Sequence, residues 1–115
     1  MLVIQKIKTN GFFFLILENS KKTPVALIGF YANDDVTKVA YLSCISVLAS
    51  FQKIGLGQFL FDEMCKIAKC RGMELLRFNV VKNNQKAIRF YQKNGAVAVG
   101  VGRDEKRWLM EKILA

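Results

Sequence analysis

Apolar residues along this chain change their period about half-way. In the first half they come in short runs of strand length, Phe12 to Leu17 closed by Glu18, then Val25 to Ala32, then Ala40 to Leu48. These runs are rich in aromatic and β-branched residues. Turn formers separate them: Asn10-Gly11, the polar stretch Asn19 to Pro24 with the only proline, and Asn33-Asp34-Asp35. A meander of antiparallel strands is expected. Met1 to Thr9 alternates weakly, as a short strand or a single helical turn would. From Gly57 the period becomes helical, with Leu60, Met64, Ile67 and Ala68 on one face as far as Arg71, and Gly72 as the C-cap. Glu74 to Val81 reads as a strand. Asn83-Asn84 then caps a short helix carrying Ala87, Ile88 and Tyr91, which Asn94-Gly95 stops. Ala96 to Leu114 predicts a closing antiparallel hairpin. The strand, helix and strand from Ala40 to Val81 form a crossover unit, so its two strands should lie parallel.

The 115 residues suit one domain over 1–115, and a hydrophobic share of 52% suits a packed core rather than disorder. Eighteen Lys and Arg against nine Asp and Glu give a net charge of +9. Such a surplus favours anionic partners. The basic residues are scattered, which argues against a nucleic-acid stripe. Cys44, Cys65 and Cys70 are odd in number and form no Cys-X-X-Cys pair, and there is no histidine. That combination argues against a disulfide framework and against a metal site. It also removes every Ser-His or Cys-His nucleophile. No apolar run is long enough to span a bilayer, and the first residues lack the order of a signal peptide. A cytoplasmic protein without membrane association is expected.

The stretch that organises the chain follows the third run. Gln52-Lys53-Ile54-Gly55-Leu56-Gly57 leads from a strand into a helix. Two glycines let a ligand approach the backbone, and the helix start offers free N–H groups and the positive end of its dipole. An anionic phosphate could sit there.

Ile45-Ser46-Val47, followed after a break by Gln52 to Gly57, resembles the acetyl-coenzyme A motif of GCN5-related N-acetyltransferases, Gln or Arg, any two, Gly, any one, Gly or Ala. Further on, Asn84 to Gly95 is similar to the second signature of that family, in which an Asn, an Ala and a Tyr recur before Lys-X-Gly. The two motifs stand in the family's order, and the likeness covers roughly Val25 to the C-terminus. It implies an α/β fold with a mixed, mostly antiparallel sheet, a splayed parallel strand pair and flanking helices. It further implies acetyl-coenzyme A as co-substrate, with no metal, and an amine-bearing small molecule or protein as acceptor. By likeness, the backbone of Ile45, Ser46 and Val47 holds the pantetheine arm. The N–H groups from Lys53 through Ile54, Gly55, Leu56 and Gly57 to Gln58 hold the pyrophosphate, with Gln52 opening the motif. Asn84 and Ala87 border the arm, and Tyr91 lies beside the thioester sulfur as general acid. For Asn84 the competing reading is a plain helix cap, and for Tyr91 a core aromatic.

Two departures qualify the likeness. Several family members carry a glutamate five residues before the Asn of the second signature, where this chain has Asn79. Asp34 and Asp35 read as turn residues, Asp62 and Glu63 as a solvated helix face, and Cys44 as an ordinary buried thiol, so no residue stands out as a base. Only about eleven residues precede Phe12, where the family usually has a strand and one or two helices. Either a partner subunit closes that side, or the pocket is open to a large acceptor, or the chain is a reduced form. A homodimer that covers the open sheet face is the expectation under the first of these. The net charge points to an acidic or phosphorylated acceptor. Other readings are a coenzyme A-binding protein without catalysis and, on charge alone, a basic nucleic-acid-binding module.

Overall fold

The computed structural model describes residues 2–8, 11–18 and 23–115. Among them lie seven strands: β1 (Leu2–Lys8), β2 (Phe12–Glu18), β3 (Thr23–Tyr31), β4 (Val39–Val47), β5 (Leu75–Val81), β6 (Val97–Val101) and β7 (Arg107–Ile113). Two helices, α1 (Leu56–Cys70) and α2 (Gln85–Lys93), flank β5 in the chain. The strands form one sheet in the order β1-β2-β3-β4-β5-β7-β6, antiparallel throughout except for the parallel pair β4 and β5. The expected crossover and closing hairpin are both present, and β7 rather than β6 is laid against β5. Asn10 of the first expected turn and Asn19 to Lys22 of the first hairpin loop lie outside the described residues.

Pro24 was expected in that loop and is instead inside β3, opposite Leu17. The register shifts beside it, between Ile16 and Leu17. A proline cannot donate to a ladder, and the irregular pairing there removes the demand.

Local signals set the helix ends. Gly55, Gly72 and Gly95 all have positive φ, at 84°, 85° and 92°, a backbone state open to glycine at no steric cost. The last two end α1 and α2 where expected. Gly55 closes a 3₁₀ turn over Ala49–Ile54, read from the sequence as a simple break, and opens α1 one residue earlier than the pattern suggested.

Burial explains the layering. Leu56, Leu60, Phe61, Met64 and Ala68 form the buried stripe of α1, at the i, i+4 spacing of a helix face. It packs on β3 and β4. Phe61 and Phe78 share the Tyr91 ring, with ring centres 6.1 Å and 4.4 Å away, so α2 covers the same sheet face as α1. The opposite face carries the alternate positions of the central strands, among them Tyr31, Tyr41, Arg77 and Glu111, which stand side by side across four strands.

One irregularity in β4 turns the end of that strand. Ala40 and Leu42 face the helices, and so do Ile45 and Val47, which a strict two-residue alternation forbids. The β3 register shows why: Phe30 pairs with Leu42 and Gly29 with Cys44, leaving Ser43 as an extra residue. This β-bulge resets the alternation and bends the strand.

Candidate active site

Beyond the bulge, β4 and β5 part. Their pairing covers only Val39 with Leu75, Ala40 with Leu76 and Tyr41 with Arg77. The remaining six residues of β4 and four of β5 diverge, and a cleft of about 720 Å³ opens between them. Its walls are the end of β4, the start of α1, the outer half of β5 and the first turns of α2.

The β4 wall has a backbone edge with no strand partner. Leu48 donates its N–H to the carbonyl of Val25, so by strand alternation Ser46 also faces β3, while Ile45 and Val47 turn their polar groups into the cleft. Ile45 can therefore accept from or donate to an extended ligand as a further strand would, and Val47 can donate its N–H, its carbonyl already accepting from the Gln52 side chain. Ser46 borders the cleft as well. Cys44 is exposed on this wall, where the sequence suggested a buried thiol, because the bulge turns it out of the core.

At the second wall, Gly55, Gly57 and Gln58 border the cleft. No side chain caps α1, and its first turn contains no acid. The N–H groups at its start thus keep their capacity and their positive potential for something in the cleft. A Cβ placed on Gly55 would meet nothing within 4 Å, and one on Gly57 only the Val47 methyl at 3.8 Å. Of the other motif residues, Lys53 and Ile54 are exposed and absent from the lining. The Leu56 side chain is buried in the core and can contribute only its backbone. Gln52 is spent at both ends, donating to the Val47 carbonyl at 3.0 Å and accepting from Lys86 Nζ at 2.6 Å. It thereby ties the glycine loop to β4 and to α2.

From α2 come Asn84, Lys86, Ala87, Phe90 and Tyr91. Asn84 serves in two ways. Its Oδ1 accepts the Ala87 N–H at 3.2 Å as the helix cap, and the residue also borders the cleft. Tyr91 is 8% exposed, its ring held among Phe61, Phe78 and Phe90. Burial, and then the neighbouring Cys44 thiol, push its phenol up to about 12. It keeps its proton at any ordinary pH.

The lysine that borders the cleft is Lys86, which the sequence reading did not single out. Lys66 pairs with Glu63 at 3.3 Å. The signal for Lys86 was its place two residues after the helix cap, inside the first turn. Asn79 also borders the cleft, and its Nδ2 donates to Tyr41 Oη at 2.5 Å while its Oδ1 accepts from the Arg103 N–H at 2.8 Å.

The family model described as "Acetyltransferase (GNAT) family" matches residues 3–96. The chain belongs to this family. It is an acyltransferase by that membership, and the donor of the family is acetyl-coenzyme A. Solved structures share the fold. A putative acyl-CoA N-acyltransferase from Klebsiella pneumoniae superposes with a TM-score of 0.83 at 15% identity, over 100% of this chain and 99% of its own. An IAA acetyltransferase from Bacillus cereus gives 0.79 at 14%, over 98% and 99%. The PaiA N-acetyltransferase of Thermoplasma acidophilum, solved with coenzyme A, gives 0.75 at 25%, over 88% of this chain and 59% of its own. No curated protein sequence matches the chain.

The cleft suits such a donor. Its β4 wall offers a backbone edge with no strand partner, and its second wall an uncapped, acid-free helix start with two glycines. Among the described residues no group of side chains could hold a metal, and no helix is long and apolar enough to cross a membrane.

Proposed function

We propose that this acetyltransferase acts on a primary amine by direct attack, with Tyr91 as the general acid. Acetyl-coenzyme A, when bound, supplies an acetyl thioester. The polar backbone of Ile45 and Val47 holds the pantetheine arm, with the Asn84 Nδ2 as a side donor. The N–H groups from Gly55 to Gln58 take the pyrophosphate, and Lys86 adds charge at the same mouth. The Val47 N–H polarises the acetyl carbonyl. Tyr91 presents its O–H where negative charge builds on the departing sulfur.

The single observation that carries this reading is the state of Tyr91: a phenol in an aromatic cage, bordering the cleft, protonated until the pH nears its value of about 12. A thiol ordinarily titrates near about 8.5, so the phenol is the weaker acid. Tyr91 therefore acts by hydrogen bonding to the developing charge, and completes the transfer only as the sulfur leaves. Asn79 accepts no proton at neutral pH, so the amine arrives neutral. As the N–C bond forms and the C–S bond breaks, the nitrogen sheds its extra proton to water and the sulfur takes the Tyr91 proton. Water then reprotonates Tyr91.

Acetyl-coenzyme A at tenfold over its Kd should stabilise the protein by about 1.4 kcal/mol, seen as a rise in Tm. Release of free thiol across a panel of primary amines should accompany it. Stabilisation without thiol release from any amine would leave a coenzyme-binding protein and sink the enzyme reading.

The homodimer expected from the sequence rests on the helix-free sheet face. There Val97 and Ile113 stand 59% and 75% exposed, apolar surface that a second copy would remove from water. Sedimentation at micromolar concentration should give a dimer, and a clean monomer would refute it.

A further inference from the structure

Cys44 is the one thiol on the cleft wall, and the acetyl-transfer reading gives it no task. We propose that it is a modification site: it forms a reversible mixed disulfide with coenzyme A held in the cleft, and so stops acetyl transfer when the coenzyme is oxidised. The proposal rests on the acetyl-transfer reading, which places the coenzyme sulfur beside Tyr91.

Three features of the fold present this sulfur. The extra residue Ser43 turns Cys44 out of the core, so it is exposed while Ile45 and Val47 pack against the core. Its opposite number on β3 is Gly29, which has no side chain to cover it. Beyond Tyr41, β4 has no pairing with β5, so the gap on its other side is open as well. Cys65 and Cys70 are placed differently. Both belong to α1 and neither borders the cleft, although Cys70 is exposed.

Tyr91 marks the same place independently. Its side chain is 8% exposed and borders the same cleft, yet its hydroxyl makes no hydrogen bond among the described residues. No buried side-chain polar atom among them lacks a partner, so the Tyr91 oxygen is open to the cleft space. An aromatic cage around a phenol whose one polar atom opens on a cleft leaves that atom for a ligand. Burial raises this phenol first, and Cys44 is the one titratable group whose charge raises it further, so thiol and hydroxyl are neighbours. A ligand atom bonded to the Tyr91 Oη therefore lies beside the Cys44 Sγ. In the proposed complex that atom is the coenzyme sulfur.

The step is a thiol–disulfide exchange, and its oxidant is the disulfide of coenzyme A. The Cys44 thiol gives its proton to water, and the thiolate attacks one sulfur of that disulfide. A sulfur–sulfur bond forms to Cys44 as the original one breaks. The second coenzyme A leaves as a thiolate and takes a proton from water. The Cys44 sulfur is oxidised and the departing sulfur reduced, so the electrons balance. Because the disulfide is symmetric, attack on either sulfur gives the same adduct. The adduct sets Sγ where the acetyl carbon would stand and excludes acetyl-coenzyme A from the cleft. A small thiol reverses it by the same exchange. Selectivity comes from position, since the cleft holds one half of the disulfide beside Cys44 and away from Cys70.

The full chain, reduced and then incubated with coenzyme A disulfide, should take up one coenzyme A at Cys44, read by intact mass and peptide mapping. Uptake should be about tenfold faster than from oxidised glutathione, a disulfide without the groups the cleft holds. Excess acetyl-coenzyme A should slow it. Acetylation of an active amine, followed by mass spectrometry, should fall in step with the adduct and return after dithiothreitol. Cys44→Ser keeps a small side chain at an exposed position, so it should fold, take up no coenzyme A and hold its own untreated rate through the treatment. Competition by acetyl-coenzyme A is read on the wild type and stands even if that variant does not fold. Equal uptake from both disulfides, no slowing by acetyl-coenzyme A, or modification of Cys70 as fast as Cys44 would overturn the proposal. An absent adduct in a protein whose Tm acetyl-coenzyme A raises overturns the disulfide alone. Without that rise the transfer reading fails, and the disulfide with it.

Discussion

Tyr91→Phe is expected to slow thiol release about a hundredfold on any active amine while leaving coenzyme affinity and Tm nearly unchanged. The size follows from general acid catalysis, worth roughly 10² to 10⁴ in rate. The lower end applies because a phenol at about 12 is a reluctant donor. The clean separation from stability follows from packing. The Tyr91 ring contacts Phe61, Phe78 and Phe90, and a phenylalanine keeps all three contacts. Nothing buried is left unsatisfied by losing the hydroxyl, since it borders the cleft and no buried side-chain polar atom among the described residues lacks a partner. Alanine would be the wrong probe, because emptying that aromatic cage would cost roughly 3–5 kcal/mol of stability. The pH profile gives a second reading of the same group. An acid with a raised pKa stays protonated below it, so the wild-type rate should show no falling limb from Tyr91 until the pH nears 12. Equal rates for wild type and Tyr91→Phe would show that the phenol is only core.

What could be read from the sequence divides by range of interaction. Helix ends were legible because their causes are local: Asn84 caps its own helix, and Gly72 and Gly95 take the backbone state that ends theirs. The cleft was legible only by likeness, since its physical cause is distant. Nothing within β4 says that its pairing with β5 stops at Tyr41. The bulge lies between these cases. Ala40 and Leu42 followed by Ile45 and Val47 is a slip of one residue in the apolar alternation, visible in the sequence, and it was read as a continuous run. That slip is why Cys44 is exposed on the cleft wall instead of buried. The Asn79 bridge was out of reach altogether. It joins residues 38 apart to Tyr41 and 24 apart to Arg103. It also requires a glycine at 102, where a Cβ would collide with the Asn79 Oδ1.

Gly57→Leu should weaken acetyl-coenzyme A binding about a hundredfold while leaving Tm unchanged or raising it, an outcome that sets the ligand role of the glycine against its backbone role. Gly57 lies within α1 and is absent from the positive-φ positions. A leucine there keeps the helix and gains up to about 0.8 kcal/mol of helix propensity. It also meets no obstacle, since a Cβ would stand 3.8 Å from the Val47 methyl. What it fills is the space above the first-turn N–H groups. Excluding a pyrophosphate from two charge-assisted hydrogen bonds, at roughly 1.5 kcal/mol each or more, forfeits about 3 kcal/mol, hence the hundredfold. Gly55→Leu must behave differently. Its φ of 84° costs a residue with a Cβ about 1–2 kcal/mol, so Tm should fall whether or not binding does. Comparing the two by calorimetric titration and thermal unfolding separates a glycine kept for its backbone from one kept for its ligand. An unchanged Kd in Gly57→Leu would move the pyrophosphate away from the start of α1.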